Sequence, residues 1–539
     1  MKFLPIALLL CSLSAALFAA EPGTKPNILV ILVDDMGWSD ISCYGGEIST
    51  PNIDALAKGG LRFTQFYNTG RCSPTRASLL TGHYPHQAGM GNLDNVIKPD
   101  HPGFQGKLAD SSVTMAEVLQ EAGYFTAMSG KWHLGQQNGT PPWLRGFDRS
   151  LNAPKGGFYY SESKTASIYL NGQPAVNGES GVPKEWYSTD LWTDFGLKFI
   201  DEAKTEKKPF FLYLPYNAPH FPLQAPAEDI AKFRGQYKKG WDKLREERYA
   251  RQKEMGLIDP AWALSPIATD LKKWDALTAE EQDRFDHLMA VYAACLSHVD
   301  TAIGRLVAGL KARGELNNTL LFFMSDNGGN AEGGPNGKSN GEPTDPNSVW
   351  FCGESWASLE NTPFRRYKHY THEGGVSTPL IVHWPAGINS ARNGTLEKQP
   401  GHVIDIMSTV VDATGAKYPA TFNGKPIEPM EGVSLRPSFE AQSLARSQPI
   451  FFNHEDNRAV RDGPWKIVAL KDKPWELYDM NTDRTELHDL AGQKPELVAK
   501  MSAQYDAWAL RTRVVVAEQE ETIGKKGKKK NKAAAAQDL

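Results

Sequence analysis

Two rhythms of hydrophobic and polar positions alternate along most of the chain. NILVILV (27–33) is an unbroken apolar run rich in β-branched residues, the pattern of a strand covered on both faces. TPNIDALAKGG (50–60) follows as a short helix closed by glycine. SVTMAEVLQEAG (112–123) reads as another, with an N-cap candidate and a C-terminal glycine. YFTAMS (124–129), PFFLYLP (209–215), TLLFFMS (319–325) and TPLIVHW (378–384) are further buried strands. Helices are predicted over TDLWTDFGLKFIDEAK (189–204) and HVIDIMSTVVDATG (402–415). From Phe285 to Arg313, the apolar residues Leu288, Tyr292, Cys295, Val299, Ile303, Leu306 and Leu310 recur every three or four positions, so one long amphipathic helix is expected. This βαβ rhythm predicts an α/β fold with a largely parallel sheet flanked by helices.

After about residue 440 the rhythm changes. IFFNHE, RAVRDG, WKIVAL and WELYDM are short strands separated by Gly, Pro and Asp, an antiparallel meander, and a helix over roughly 494–512 follows. The chain therefore divides into an α/β domain over 21–444 and a smaller α+β subdomain over 445–515. Residues 328–358, rich in Gly, Asn, Ser and Pro, form a long loop between two strands, a kind often used for function. The lysine run and low-complexity end, 516–539, is expected to be a disordered tail.

Composition narrows the field. At 539 residues the chain is too long for one ordinary core, and 40% apolar with 23% charged residues is ordinary for a globular protein. A net charge of −4 with mixed signs argues against nucleic acid as a partner. MKFLPIALLLCSLSAALFAA (1–20) has a basic residue, an apolar stretch and small closing residues, which predicts a signal peptide and a periplasmic or secreted protein. That apolar run is short for a span, so no stable membrane anchor is expected. Beyond it lie Cys43, Cys72, Cys295 and Cys352, too few for a disulfide scaffold, although one bridge among Cys43, Cys295 and Cys352 stays open.

Chemistry concentrates where strands end. Ligands of open parallel sheets bind beyond the carboxyl ends of the strands. The run NILVILVDD places Asp34 and Asp35 there, and TLLFFMSDN places Asp326 and Asn327. Either pair alone fits a turn or helix cap. If the two strands are neighbours, three carboxylates and an amide converge, and their oxygens favour a hard cation, Ca²⁺ or Mg²⁺. Lys131 and His133 follow one predicted strand, His220 follows another, and Lys368 precedes a third, and the four together suggest a cationic pocket for an anion. In TGRCSPTRASLLTGHYP (69–85), Pro74 and Thr75 suit a helix start. Cys72 would sit just before that N-terminus, where backbone N–H groups favour an anion, and Arg76 adds a planar donor fork. A plain thiolate nucleophile there would be hazardous in an oxidising compartment.

These residues carry a family resemblance. CSPTRASLLTG (72–82) resembles the signature of type I sulfatases, in which the Cys of a C-x-P-x-R motif is oxidised to formylglycine. GKWHLG (130–135) resembles the second signature of that family, and SDNGG, NAPH and EGG (373–375) fall in its order over roughly residues 25–515, most similar to bacterial arylsulfatases. The resemblance implies an alkaline-phosphatase-like fold and one Ca²⁺ (Mg²⁺ possible) held by Asp34, Asp35, Asp326 and Asn327. It implies a formylglycine hydrate at residue 72: one hydroxyl attacks sulfur, the other then loses its proton and sulfate leaves as the aldehyde re-forms. Arg76 orients residue 72, Asp326 accepts its proton, and Lys131 and Lys368 bind sulfate oxygens. His220 is assigned to protonate the leaving oxygen and His133 to act as base in release. A formylglycine-generating maturation enzyme is the implied partner.

The expected substrate is an aryl or carbohydrate sulfate monoester. Beside Lys368 stand His369 and His372, read either as substrate contacts or as solvent-exposed loop residues, and His454 is placed on the pocket rim as a substrate-binding candidate. Two other functions fit the same residues: a phosphonate or phosphate ester hydrolase, and a non-catalytic calcium-dependent binder of sulfated glycans. A single evident acid cluster favours one metal and sulfate over phosphate.

Overall fold

The computed structural model describes residues 25–179, 181–268 and 271–515. The signal-peptide and tail expectations lie outside these residues, as do 180 and 269–270.

Seven strands form the body of the main sheet: β1 (Asn27–Val33), β2 (Leu61–Tyr67), β3 (Phe125–Lys131), β4 (Arg149–Ala153), β5 (Phe210–Pro215), β6 (Thr319–Ser325) and β7 (Ser377–His383). Their spatial order is β2-β7-β6-β1-β5-β3-β4. β1 pairs in parallel with β5 and β6, and β3 in parallel with β5 and β4. β7 runs antiparallel to both β6 and β2, so the sheet is mostly rather than wholly parallel. The register sets Val33 beside Ser325, which brings the acids that follow both strands to one place.

An apolar run suits β1 because both faces are covered. Leu29, Ile31 and Val33 pack into one core with residues of α4 (Ser188–Thr205) and α6 (Ala279–Ala312). Ile28, Val30 and Leu32 pack into another with α2 (Cys72–Thr81), α3 (Met115–Glu121) and α7 (Ile404–Thr414). On the first face also lies α1 (Pro51–Lys58), and α5 (Gly240–Glu254) is the remaining long helix of this part. The alternation places one residue in two on each face, as strand geometry requires.

Boundaries follow local chemistry. α6 begins earlier than its apolar periodicity, because Thr278 and Glu281 form a reciprocal capping box. Thr114 and Glu117 do the same for α3. The expected loop 328–358 is partly structured: it holds a hairpin of Lys338–Asn340 with Val349–Phe351, and the start of a short helix, Glu354–Glu360. Cys72 is the first residue of α2, not the residue before it, with Arg71 as N-cap.

The C-terminal subdomain is a four-stranded antiparallel sheet, β8 (Ile450–His454), β9 (Asn457–Asp462), β10 (Trp465–Ala469) and β11 (Glu476–Asp479), with α8 (Pro495–Arg511). Phe451, Val460, Ile467 and Leu477 pack on Met501, Tyr505 and Trp508 of α8, and Tyr84 and Ile404 of the main body join that core. Cys43, Cys72, Cys295 and Cys352 are all buried free thiols, so none of the bridges left open by the sequence forms. No helix among the described residues is long and apolar enough to cross a membrane.

Candidate functional site

The carboxyl ends of β1 and β6 deliver Asp34, Asp35, Asp326 and Asn327, all fully buried. Asp35 has φ 70°, a left-handed value that Asp tolerates better than most residues, and it ends the strand abruptly. The loop after Asn327 packs flush against the EGG segment: Gly328 N–H donates to Gly375 O at 3.1 Å. A Cβ at Gly328 would lie 2.0 Å from the Gly374 carbonyl oxygen, so only glycine fits.

Cations surround these acids. Lys131 Nζ, at the end of β3, donates to Asp34 Oδ2 at 2.6 Å. Lys368 Nζ donates to Asp35 Oδ1 at 2.6 Å. The Arg76 guanidinium, buried in α2, grips Asp326 Oδ2 through Nε at 3.0 Å and Nη2 at 2.8 Å, and donates from Nη1 to Lys131 O. Asn327 Nδ2 donates to Asp35 Oδ1 at 2.7 Å, and Asn330 Nδ2 donates to Asp35 Oδ2.

Two oxygens are left over. Asp34 Oδ1 and Asn327 Oδ1 are buried without a hydrogen-bond partner. Each such orphan costs about 1–3 kcal/mol unless something else satisfies it. Burial alone would raise the Asp34 carboxyl, but Lys131, His220, Arg76 and Lys368 hold it well below the usual range. Burial and the neighbouring Asp34 push Asp326 up, to about 7. A hard divalent cation beside Asp34, Asp35, Asp326 and Asn327 would satisfy both orphans and relieve the repulsion, so this oxygen set fits one.

The Cys72 Sγ lies in this cluster, with Sγ and one oxygen each of Asp34 and Asp326 within 4.8 Å of one another. Burial pushes the thiol up despite Lys131 and Lys368, so as a cysteine it is a poor nucleophile. Thr75 Oγ1 accepts from Thr69 N–H at 3.1 Å and ties the loop to the first turn of α2.

Two histidines approach from different strands. His220 Nε2 lies 3.6 Å from Asp35 Oδ2, and its ring stacks on Phe221 at 4.1 Å. Burial and Lys131 push it down to about 4, against Asp35 and Asp34. His133 takes φ 57° and stands 3.7 Å from Asp94 Oδ1, with Nδ1 buried and unpartnered. Burial, Lys131 and Arg76 hold it well below its ordinary value.

Seven of the sequence-derived residues, Cys72, Arg76, Lys131, His133, His220, Asp326 and Lys368, thus fall in one neighbourhood with the metal candidates. His454 is not at the rim: it is fully buried, both ring nitrogens lack partners, and the partly exposed His369 ring is 5.9 Å away. His372 is buried too, with Nε2 3.5 Å from Glu476, and so is not a solvent-exposed loop residue. Asn330, Arg71 and Glu332 were not foreseen. Asn330 sits three residues beyond Asn327 and Arg71 directly before Cys72, so proximity to the motifs was their available signal. Glu332 Oε1 lies 3.2 Å from Arg71 Nη1 and 3.7 Å from Lys368 Nζ.

Comparison with known proteins yields matches over nearly the whole described chain. The sulfatase family model matches residues 26–416, and a model for the C-terminal part of N-sulphoglucosamine sulphohydrolase matches 365–509. An arylsulfatase of Klebsiella aerogenes is 36% identical over 430 residues, 76% of this chain and 91% of that protein. An uncharacterized sulfatase of Schizosaccharomyces pombe is 36% identical over 482 residues, 82% of this chain and 85% of that protein. Among solved structures, Ps i-CgsB in complex with k-i-k-neocarrahexaose superposes with a TM-score of 0.68 at 27% identity, covering 90% of this chain and 93% of that one.

Proposed function

The chain belongs to the sulfatase family and is a sulfuric ester hydrolase; from that premise we propose that it cleaves an aryl or carbohydrate sulfate monoester through a formylglycine derived from Cys72. The observation that carries this reading is the position of Cys72 at the start of α2, beside the Asp34 and Asp326 carboxylates and under two buried lysines. The oxidised residue supplies, when hydrated, a hydroxyl nucleophile that can also release sulfate. A calcium ion held by Asp34, Asp35, Asp326 and Asn327 would supply positive charge next to it.

The remaining roles belong to this chain's own side chains. Lys131 and Lys368 are already poised on Asp34 and Asp35, and their ammonium groups can turn to sulfate oxygens where charge develops. Arg76 fixes Asp326, and through it the orientation of the residue-72 side chain. His220 is the donor to the leaving oxygen. An anionic ester between it and the lysines offsets the cations that depress it, so its proton affinity rises when substrate arrives. His133, neutral and with a free nitrogen, suits the base of sulfate release.

Arylsulfatase from Klebsiella aerogenes gives precedent for an aryl substrate, and the stacked Phe221 and Phe351 rings, 4.5 Å apart beside His220, offer a surface for a flat leaving group. We propose export on the strength of residues 1–20. Mass spectrometry of the tryptic peptide beginning at Cys72, from the native host, together with rates on an aryl sulfate and an aryl phosphate, tests the proposal. An aldehyde at residue 72 and faster sulfate turnover are expected; an unmodified thiol in active protein, or faster phosphate turnover, overturns it.

A further inference from the structure

Beyond the strand-end cluster, a second group of ligating atoms sits where the C-terminal sheet meets the main body. One ring nitrogen each from His369 and His454 and one carboxylate oxygen of Glu455 lie within 4.8 Å of one another. The two rings face different oxygens of the one carboxylate: His369 Nδ1 lies 3.0 Å from Glu455 Oε2, and His454 Nε2 lies 3.7 Å from Glu455 Oε1. Tetrahedral zinc with bonds of about 2.1 Å sets its donors about 3.4 Å apart, between these two values.

His454 is the part that nothing else explains. It is fully buried, and neither ring nitrogen has a hydrogen-bond partner. An imidazole with no partner at either nitrogen has a lone pair to offer a metal. Its neighbour is held in place at some cost. Glu455 and Asp456 form the two central positions of the β8–β9 turn with φ 51° and 65°, a left-handed pair usually given to Asn-Gly. His369 likewise has φ 81°. Three left-handed positions thus direct one imidazole and one carboxylate toward the buried ring.

A further carboxylate completes the environment. Glu332 Oε1 lies 3.4 Å from His369 Nε2, the outer-sphere partner that metal-bound histidines usually have. Arg71 Nη1 now contacts that same nitrogen and lies 3.3 Å from Nδ1 as well. If Nδ1 binds a metal, Nε2 carries the proton, so Arg71 must retreat to Glu332, which it already meets at 3.2 Å.

We propose that His369, His454 and Glu455 form a binding site for a borderline divalent cation such as Zn²⁺, separate from the hard-cation site at the strand ends. Two imidazoles and one carboxylate leave a fourth position open toward the partly exposed His369 side, so the ion would exchange readily. Glu332 touches both His369 and Lys368, so occupancy of the site is felt at the sulfate-binding lysine.

The inference does not depend on the sulfatase reading, because its test reads metal uptake and not turnover. Full-length protein saturated with Ca²⁺ is dialysed against Zn²⁺ and analysed for bound metal, alongside Glu455→Gln and His454→Asn. Wild type should hold one zinc more than either variant, with affinity falling by more than the roughly 10–100-fold that loss of an outer-sphere partner costs. Glu455 is exposed, so its variant decides the matter even if His454→Asn does not fold. Co²⁺ should give tetrahedral visible bands that Glu455→Gln abolishes. No added zinc in wild type, or equal uptake by wild type and Glu455→Gln, overturns the site.

Discussion

Two buried ionic clusters lie in this protein, and they differ in what they leave unfinished. At the strand ends, Asp34, Asp35 and Asp326 meet Arg76, Lys131 and Lys368. At the junction with the C-terminal sheet, Glu373 and Glu486 meet Lys466 and Arg484. Lys466 Nζ lies 2.8 Å from Glu373 Oε1 and 2.8 Å from Glu486 Oε1, and Arg484 Nε lies 2.7 Å from Glu373 Oε2. Tyr67 and Ser377 hydroxyls also donate to Glu373 Oε2, while Arg484 spends its other donors on Thr64 O and Ser377 Oγ. Both clusters balance in formal charge. At the junction Glu486 Oε1 lacks a hydrogen bond but has the Lys466 ammonium 2.8 Å away, whereas at the strand ends both Asp34 Oδ1 and Asn327 Oδ1 are buried without a partner, and Asp34 stands beside the Cys72 thiol. Charge burial by itself therefore says little about function; unmet acceptors converging on one point say more.

The sharpest break between the clusters comes from separating activity from stability. Cys72→Ala should lower kcat/KM on an aryl sulfate by about 10⁴-fold or more, as nucleophile loss does elsewhere. Thermal unfolding should hardly move, since a small side chain is trimmed. A variant that kept its activity would dissolve the distinction. His220→Ala should cost about 10²–10⁴-fold in kcat, the range for a proton-transfer group, again with little change in melting. The loss should be smaller for substrates whose leaving group needs no proton.

At the junction the order reverses. Glu373→Gln leaves Lys466 with Glu486 alone and takes from Arg484 the carboxylate it pairs with, and breaking such a buried network costs about 3–5 kcal/mol. Denaturant unfolding measures it. Turnover per folded molecule should fall far less than in Cys72→Ala. If stability held and turnover collapsed instead, the junction would belong to the active centre.

Metal removal probes the unmet oxygens. Calcium at 100 times its Kd would stabilise the native state by about 2.7 kcal/mol, so chelation should lower the melting temperature and readdition restore it. The same increment is expected in Glu373→Gln, because the two clusters share no partner. An unchanged melting temperature would mean that the strand-end oxygens hold no cation.

How much of this could be read from the chain depended on whether a residue's partners were near it in pattern. The acids at 34, 35 and 326 were legible because unbroken apolar runs fix where β1 and β6 stop. β2 was not, since Arg62, Thr64 and Gln65 interrupt LRFTQFY, and its antiparallel pairing with β7 depends on a segment some 300 residues away. Lys466 looks like a solvent-facing position in WKIVA, yet it is fully buried because Glu373 and Glu486 arrive from distant loops. His454 looks like a rim residue in the sequence for the same reason. A turn sequence such as HEDN reports neither the burial of its first residue nor the left-handed backbone of the next two.

Acid unfolding gives the finest test of the contrast. Burial alone would raise the Glu373 carboxyl, but Lys466 and Arg484, through charge and hydrogen bonds, pull it down to about 2. The folded value lies below the ordinary 4.5, so the stability it contributes is present above about pH 4.5 and lost as pH falls toward about 2. One proton taken up on unfolding gives a slope of at most about 1.4 kcal/mol per pH unit. Glu476, also held down at about 2, titrates in the same window in both proteins and cancels in the difference. Wild type should therefore lose stability between pH 5 and pH 3 more steeply than Glu373→Gln, as denaturant titrations at each pH would read. Parallel curves would mean that Glu373 is not held as an anion. The junction would then be no better balanced than the strand ends, and the orphaned oxygens there would lose their value as the mark of the working site.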